Sequence, residues 1–410
     1  MSNREANLPA RCASVLTAAT AIAFTVMIAS MPAAALGQVA FDQCVARLET
    51  RAIADGVDAD TAKRVLGQVS ELKRVIVADR NQPEFVTTFQ DYLDRRVTDR
   101  RVAEGRQLFG KYRGRLRELT DTYGVPGQYL VALWGMETNY GQVLGNVPVF
   151  DSLTTLACDD RRSEYFSSEL FNALQIVDRG DLQASKMTGS WAGAMGQTQF
   201  MPSAYLRYAV DGDGDSRIDL WHSVGDAFAS AANYLSHLDW QRGLRWGREV
   251  ILPRGFDYAL TGLDRNRPLN EWRKLGLTDT HGNPLPDLPL NASVLVPAGH
   301  SGPAFAVYDN FRAILGWNRS EFFALTVGHL ADRIAGAGPL HHAPPPEQAL
   351  SREQLMAVQR RLESLGEDSG KADGIPGPAT RAAVRQYQSD HGLVPDGYID
   401  ADLLHSLGLR

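Results

Sequence analysis

Residues 336–346 read G-A-G-P-L-H-H-A-P-P-P, a run that neither a helix nor a sheet interior tolerates. This Pro/Gly-rich linker, taken as 336–349, cuts the 410-residue chain into a long region before it and a short unit, 350–410. A terminal unit of that size is within the range that folds alone. His341 and His342 in the linker read as a solvated pair, with metal binding as the alternative.

The start of the chain reads as a segment apart from the fold. Arg4 and Arg11 are basic, Cys12 to Ala29 carries no charge, and small residues follow at Ala33-Ala34-Ala35-Leu36-Gly37. This is the pattern of a secretory signal peptide over 1–37, with an uncleaved N-terminal anchor as the alternative. Cys12 precedes the apolar run, whereas a lipid-attachment cysteine would follow it. An exported chain that is soluble after cleavage is therefore expected. The chain has 3 Cys. Losing the leader removes Cys12 and leaves Cys44 and Cys158, which read as a disulfide, with two buried thiols as the alternative.

Apolar residues make up 44% of the chain, charged residues 22%, and the net charge is −6. That composition describes a foldable chain and lacks the basic footprint of a nucleic-acid binder. Between the leader and the linker, helix dominates. Phe41, Val45 and Leu48, and later Leu108, Tyr112, Leu116 and Leu119, recur at helical spacing. Arg95-Arg96 and Arg100-Arg101 read as solvated helix faces. Over 250–310, Pro and Gly punctuate short apolar runs, Ala292 to Val296 and Ala304 to Tyr308, which predicts a small β-containing insertion. Helix resumes from about Asn310 to Ile334.

Two stretches carry candidate chemistry. In Q-Y-L-V-A-L-W-G-M-E-T-N-Y-G, residues 128–141, Leu130, Leu133, Trp134 and Glu137 share one helical stripe. A carboxyl group there is desolvated, and a carboxylic acid that keeps its proton is a general acid. A core ion pair with Arg, or a side chain that snorkels to water at the helix end, is the other reading. In G-S-W-A-G-A-M-G-Q-T-Q-F-M-P-S, residues 189–203, small residues let the backbone approach a ligand. Ser190, Gln197 and Gln199 offer neutral hydrogen-bonding groups, and Trp191, Phe200 and Met201 offer apolar walls. Neutral donors among aromatics suit a sugar better than a phosphate; a Gly-rich packing segment is the other reading.

Together, W-G-M-E-T-N-Y-G and G-S-W-A-G-A-M-G-Q-T-Q-F-M-P-S resemble the lytic murein transglycosylase B family. The resemblance spans roughly 41–335. It includes L-A-C-D-D-R-R at 156–162, S-A-A-N-Y-L at 230–235 and G-P-A-F-A-V-Y-D-N-F at 302–311. It implies a mainly α fold, a lysozyme-like domain over 38–335. It also implies cleavage between N-acetylmuramic acid and N-acetylglucosamine in peptidoglycan without water, leaving a 1,6-anhydro sugar. By the same resemblance Glu137 is the acid/base, and Ser190, Gln199, Tyr234 and Asn318 contact sugar. Trp317 stands where a tyrosine is usual, which keeps an aromatic wall. Ordinary glycosidases need two carboxylates, and no second one in these motifs faces Glu137. A hydrolysing muramidase and a non-catalytic peptidoglycan-binding scaffold are the competing readings. No cofactor is expected for catalysis. The expected partner is polymeric peptidoglycan, met by a monomer or within cell-wall enzyme complexes.

Residues 211–219, D-G-D-G-D-S-R-I-D, resemble an EF-hand loop, and a similar loop occurs in the family. Asp211, Asp213, Asp215 and Asp219 would meet a structural Ca²⁺. Ser216 replaces the turn Gly, His222 replaces the bidentate Glu, and Asp226 is the candidate for the missing carboxylate. An acidic turn without an ion is the alternative. The unit 350–410 resembles the three-helix peptidoglycan-binding domain through D-G-I-P-G-P-A-T at 373–380, with turns at Asp373-Gly374 and Asp396-Gly397.

Overall fold

The computed structural model describes residues 33–80 and 87–409; the apolar run Cys12 to Ala29 lies outside them. Among the described residues, no helix is long and apolar enough to cross a membrane. The chain divides into two compact units, Met1–Gln43 and Cys44–Arg410. What is described of the first is the beginning of a helix, Ala33–Ala54. The second carries the rest of a mainly helical fold.

The Gly127–Thr138 helix lies at the centre, packed by Asp99–Lys111, Arg113–Tyr123, Val224–His237 and Glu321–Ile334. Its sequence explains the position. Only Gln128 and Glu137 escape full burial, and Val131, Ala132 and Met136 are as buried as Leu130, Leu133 and Trp134. The helix is therefore apolar all round, as core helices are, and not striped as its spacing implied. The predicted run through Leu108 and Leu119 breaks at Tyr112, whose backbone leaves helical geometry at φ −97°, ψ 14°. Asn310 to Ile334 likewise forms two helices, Asp309–Trp317 and Glu321–Ile334, with Ser320 capping the second through Phe323 N.

A second apolar cluster joins the Ala59–Leu66, Val149–Ala157 and Ser163–Asp178 helices. Cys44 and Cys158 are disulfide-bonded across it, with Cα atoms 6.0 Å apart. The arginine pairs divide in their roles. Arg95 and Arg100 are exposed, but Arg101 is half-buried: it donates to Asn139 Oδ1 from Nε and Nη2, both at 3.2 Å, and burial lowers its pKa.

The β insertion is one four-stranded antiparallel sheet, ordered Gly247–Val250, Ala304–Val307, Asn291–Leu295, Arg267–Pro268. Ala306 pairs with Arg248 on one side and Val294 on the other. Trp246 lies buried beneath it and fills the space that a side chain at Gly328 would need.

Helices Arg352–Ser364, Pro378–Asp390 and Ala401–Ser406 close around Val358, Leu362, Val384, Tyr387 and Leu403. Two buried amides brace its turns. Gln359 Oε1 accepts from Gly374 N and Gln388 Oε1 from Gly397 N, each at 2.8 Å. Both glycines have φ near +77°, the left-handed region that favours Gly. The linker is tied down by its backbone: His341 and His342 N–H groups donate to the two oxygens of Glu249.

Candidate active site

Glu137 occupies the last turn of the Gly127–Thr138 helix and is half-buried. The helix is stopped by two left-handed residues in succession, Asn139 at φ 51° and Tyr140 at φ 59°. Such conformations cost of order 1–3 kcal/mol each in non-glycine residues. Arg101 holds Asn139 Oδ1, and the Tyr140 hydroxyl donates to Arg101 O at 2.8 Å, so the turn is over-determined. The two motifs are joined through the Thr138 side chain. Thr138 Oγ1 donates to Gln197 O at 2.7 Å and accepts from Gly141 N at 3.0 Å.

The 189–203 stretch is a folded loop stitched by bridges of Met195 to Gly189 and to Phe200. Ser190 Oγ accepts from Ala192 N and Ala194 N, at 3.3 and 3.1 Å. Gln199, at φ 50°, donates through Nε2 to Leu144 O and Gly196 O, at 3.1 and 2.9 Å. Asn318 Oδ1 accepts from Ser320 N at 3.0 Å, opening the following helix. Each of these three side chains is half-buried and shapes backbone. Each also retains polar capacity: a hydroxyl proton on Ser190, Oε1 on Gln199, Nδ2 on Asn318.

Trp317 gathers the site. Its indole N–H donates to Glu137 Oε1 at 2.9 Å. Its ring lies 5.3 Å from Phe200 and 5.1 Å from Tyr234. Tyr234 stacks on Tyr208 at 4.4 Å and 16°. An aromatic wall thus runs from the carboxylate through Trp317 and Tyr234 to Tyr208. Sequence reading missed Tyr208 and the bond from Trp317; a tyrosine closing a helix at the end of a Gly-rich motif was the available signal for the first. Behind the wall, Glu169 is buried, which raises its pKa, and its two oxygens accept from Ser203 N and Oγ, at 3.0 and 2.7 Å. It caps the Pro202–Tyr208 helix, and both of its oxygens are taken up there.

In the acidic loop, oxygens of Asp211, Asp213 and Asp226 lie within 4.8 Å of one another. Asp226 is buried, which raises its pKa, and its oxygens accept from Gly212, Asp213 and Asp219 N–H groups. Asp211 is held below its usual range by the N–H groups of Gly214 and Ser216. Asp215 and Asp219 stand apart from this trio. Asp215 accepts from Arg217 N. Asp219 accepts from Trp221 and His222 N–H groups and faces His222 Nδ1 at 2.8 Å. Burial opposes the Asp219 charge, and these bonds outweigh it, so its pKa falls. Three clustered carboxylates fit a hard cation, and Asp226, the candidate for the missing carboxylate, is the one that joins Asp211 and Asp213.

Comparison with known proteins identifies the family and the fold. The transglycosylase SLT domain model matches residues 40–332, and the peptidoglycan binding domain model matches 351–407. A membrane-bound lytic murein transglycosylase B of Escherichia coli is 30% identical over 302 residues, covering 68% of this chain and 79% of that protein. The structure of SltB3 from Pseudomonas aeruginosa in complex with NAG-anhNAM-pentapeptide is 46% identical. It superposes with a TM-score of 0.86 over 90% of this chain and 99% of that one. The Escherichia coli lytic transglycosylase Slt35, solved in complex with calcium, is 30% identical, with a TM-score of 0.61 over 72% of this chain and 92% of that one. The chain belongs to the lytic murein transglycosylase B family, with a lysozyme-like catalytic domain and a C-terminal peptidoglycan-binding domain.

Proposed function

We propose that this peptidoglycan lytic transglycosylase cleaves the β-1,4 bond between N-acetylmuramic acid and N-acetylglucosamine through Glu137 alone. Because Oε1 accepts the Trp317 N–H, the proton of the neutral acid resides on Oε2. That proton passes to the glycosidic oxygen, and the C1–O bond breaks with its electron pair going to the departing sugar. The N-acetyl group shields the cationic C1. The Glu137 carboxylate then takes the proton of the C6 hydroxyl, whose oxygen bonds to C1 and forms the 1,6-anhydro ring. Acid and carboxylate forms are restored in turn, and no water is consumed.

The observation that carries this reading is the setting of Glu137. It lies on an aromatic wall suited to sugar faces, while the nearby buried carboxylate, Glu169, is committed to Ser203. Ser190, Gln199 and Asn318 would supply neutral contacts, and Tyr234 a stacking face. Mass spectrometry of digested sacculi tests the chemistry: anhydro products are lighter than hydrolytic ones by one water. Hydrated ends would identify a hydrolysing muramidase, and release of either product by Glu137→Gln would remove Glu137 from the mechanism.

The terminal domain tethers the enzyme to its polymer and raises the local substrate concentration. The enzyme would work as an exported periplasmic monomer. Asp211, Asp213 and Asp226 would hold a structural Ca²⁺. Calorimetric titration with calcium reads this directly; absence of both heat and thermal stabilisation would remove the ion.

A further inference from the structure

The terminal domain is docked on the catalytic body through polar contacts. Asp396 Oδ2 accepts from His300 N at 2.8 Å and lies 2.7 Å from His300 Nδ1. Arg381 reaches Glu321 at 3.4 Å. A cavity of about 190 Å³ lies at this junction. The body contributes Thr88, Leu295 and Phe322 to its walls, the linker Ala349, and the terminal domain Arg385 and Tyr398.

Most charges facing this cavity are partnered. Glu321 pairs with Arg381, and Glu347 accepts from the Tyr398 hydroxyl at 2.6 Å. Asp396 Oδ1 is taken by Gln388 Nε2 and Tyr398 N, and its Oδ2 by His300. Arg385 is the exception. Its half-buried side chain lines the cavity and makes no hydrogen bond or ion pair among the described residues. Asp396 and Asp264 act on it only through space. A guanidinium without a partner offers its planar fork of donors, which a carboxylate meets in two parallel bonds. The apolar surface of Leu295 and Phe322 beside it suits small aliphatic side chains, and the cavity is smaller than typical ligand pockets.

We propose that this interdomain cavity binds the free carboxylate end of a peptide at Arg385, and that the occupant is a peptidoglycan stem peptide ending in small aliphatic residues. The identity of the occupant rests on the peptidoglycan reading above; the chemistry of the cavity does not. The site belongs to neither domain alone. Occupancy would couple peptide capture to the docking of the terminal domain on the catalytic body.

The test titrates a sugar-free pentapeptide ending in D-Ala-D-Ala, as free acid and as C-terminal amide, into the full chain by calorimetry. The acid should bind at least tenfold more tightly than the amide, and Arg385→Gln should weaken the acid at least tenfold. Ala349→Trp, which fills the cavity from the linker with the guanidinium intact, should abolish binding; it carries the test if Arg385→Gln fails to fold. Equal binding of acid and amide, no binding by the unaltered chain, or full binding by both variants overturns the proposal. Loss of binding in Glu137→Gln also overturns it, since the peptide would then occupy the catalytic cleft. Sacculus digestion is measured in parallel. Product without peptide binding sinks this proposal alone, and absence of product sinks the enzymatic reading.

Discussion

The indole N–H of Trp317 donates to Glu137 Oε1 at 2.9 Å, joining residues 180 positions apart in the chain. The contact brings the end of the Asp309–Trp317 helix against the last turn of Gly127–Thr138. Trp317 is therefore both part of the aromatic wall and a group that orients the Glu137 carboxyl. Trp317→Phe keeps the ring and removes the donor. A hydrogen bond to a carboxylate is worth about 1.5–3 kcal/mol, so kcat on purified sacculi should fall roughly 10- to 100-fold, with thermal stability little changed. Turnover equal to that of the unaltered enzyme would show that the bond has no catalytic part.

Buried His329, on the Glu321–Ile334 helix, has its pKa lowered from 6.5 to about 4, first by burial and then by the Arg333 charge. The folded state thus binds this proton less readily than the unfolded chain. Its contribution to stability is complete above pH 6.5 and is lost as pH falls toward 4. The shift corresponds to about 3 kcal/mol at most. Urea midpoints should drop between pH 7 and pH 5, and His329→Gln should flatten that part of the profile.

The Cys44–Cys158 bond closes a loop with a sequence separation of 114. Chain-entropy arguments give a loop of this length about 5 kcal/mol. Reduction, or Cys44→Ser with Cys158→Ser, should lower the denaturation midpoint without changing the products formed. An unchanged midpoint would mean that native-state strain offsets the cross-link.

Gly328 faces the Trp246 indole with no room for a Cβ. Trp246 cannot yield easily, because its Nε1 donates to Asp332 at 3.0 Å. Gly328→Ala should cost about 1–3 kcal/mol through overpacking, read as a lower denaturant midpoint. Stability equal to that of the unaltered chain would show that the indole can shift.

Much of this was legible in local sequence. Linker composition, the D-G turns and the paired Gly-rich motifs report on backbone conformations that a few adjacent residues decide. Helix content was likewise legible, but helix interruptions such as Tyr112 were not, because the same apolar spacing serves one helix or two. Residue type placed Glu137 on a mainly apolar helix. It did not show that the helix is buried on every face, which depends on the four helices packed around it.

By itself, then, the sequence determined a mainly helical chain with a small β insertion, and which residue types could do sugar chemistry. Tertiary structure alone decided which of those residues meet. Trp317 reached Glu137, Asp226 joined Asp211 and Asp213 while Asp215 and Asp219 turned elsewhere, and Arg385 was left facing an interdomain cavity. The physical reason is range. Propensities and turn geometry act over a few residues, whereas pairing a buried polar group depends on packing between segments that are distant in the chain.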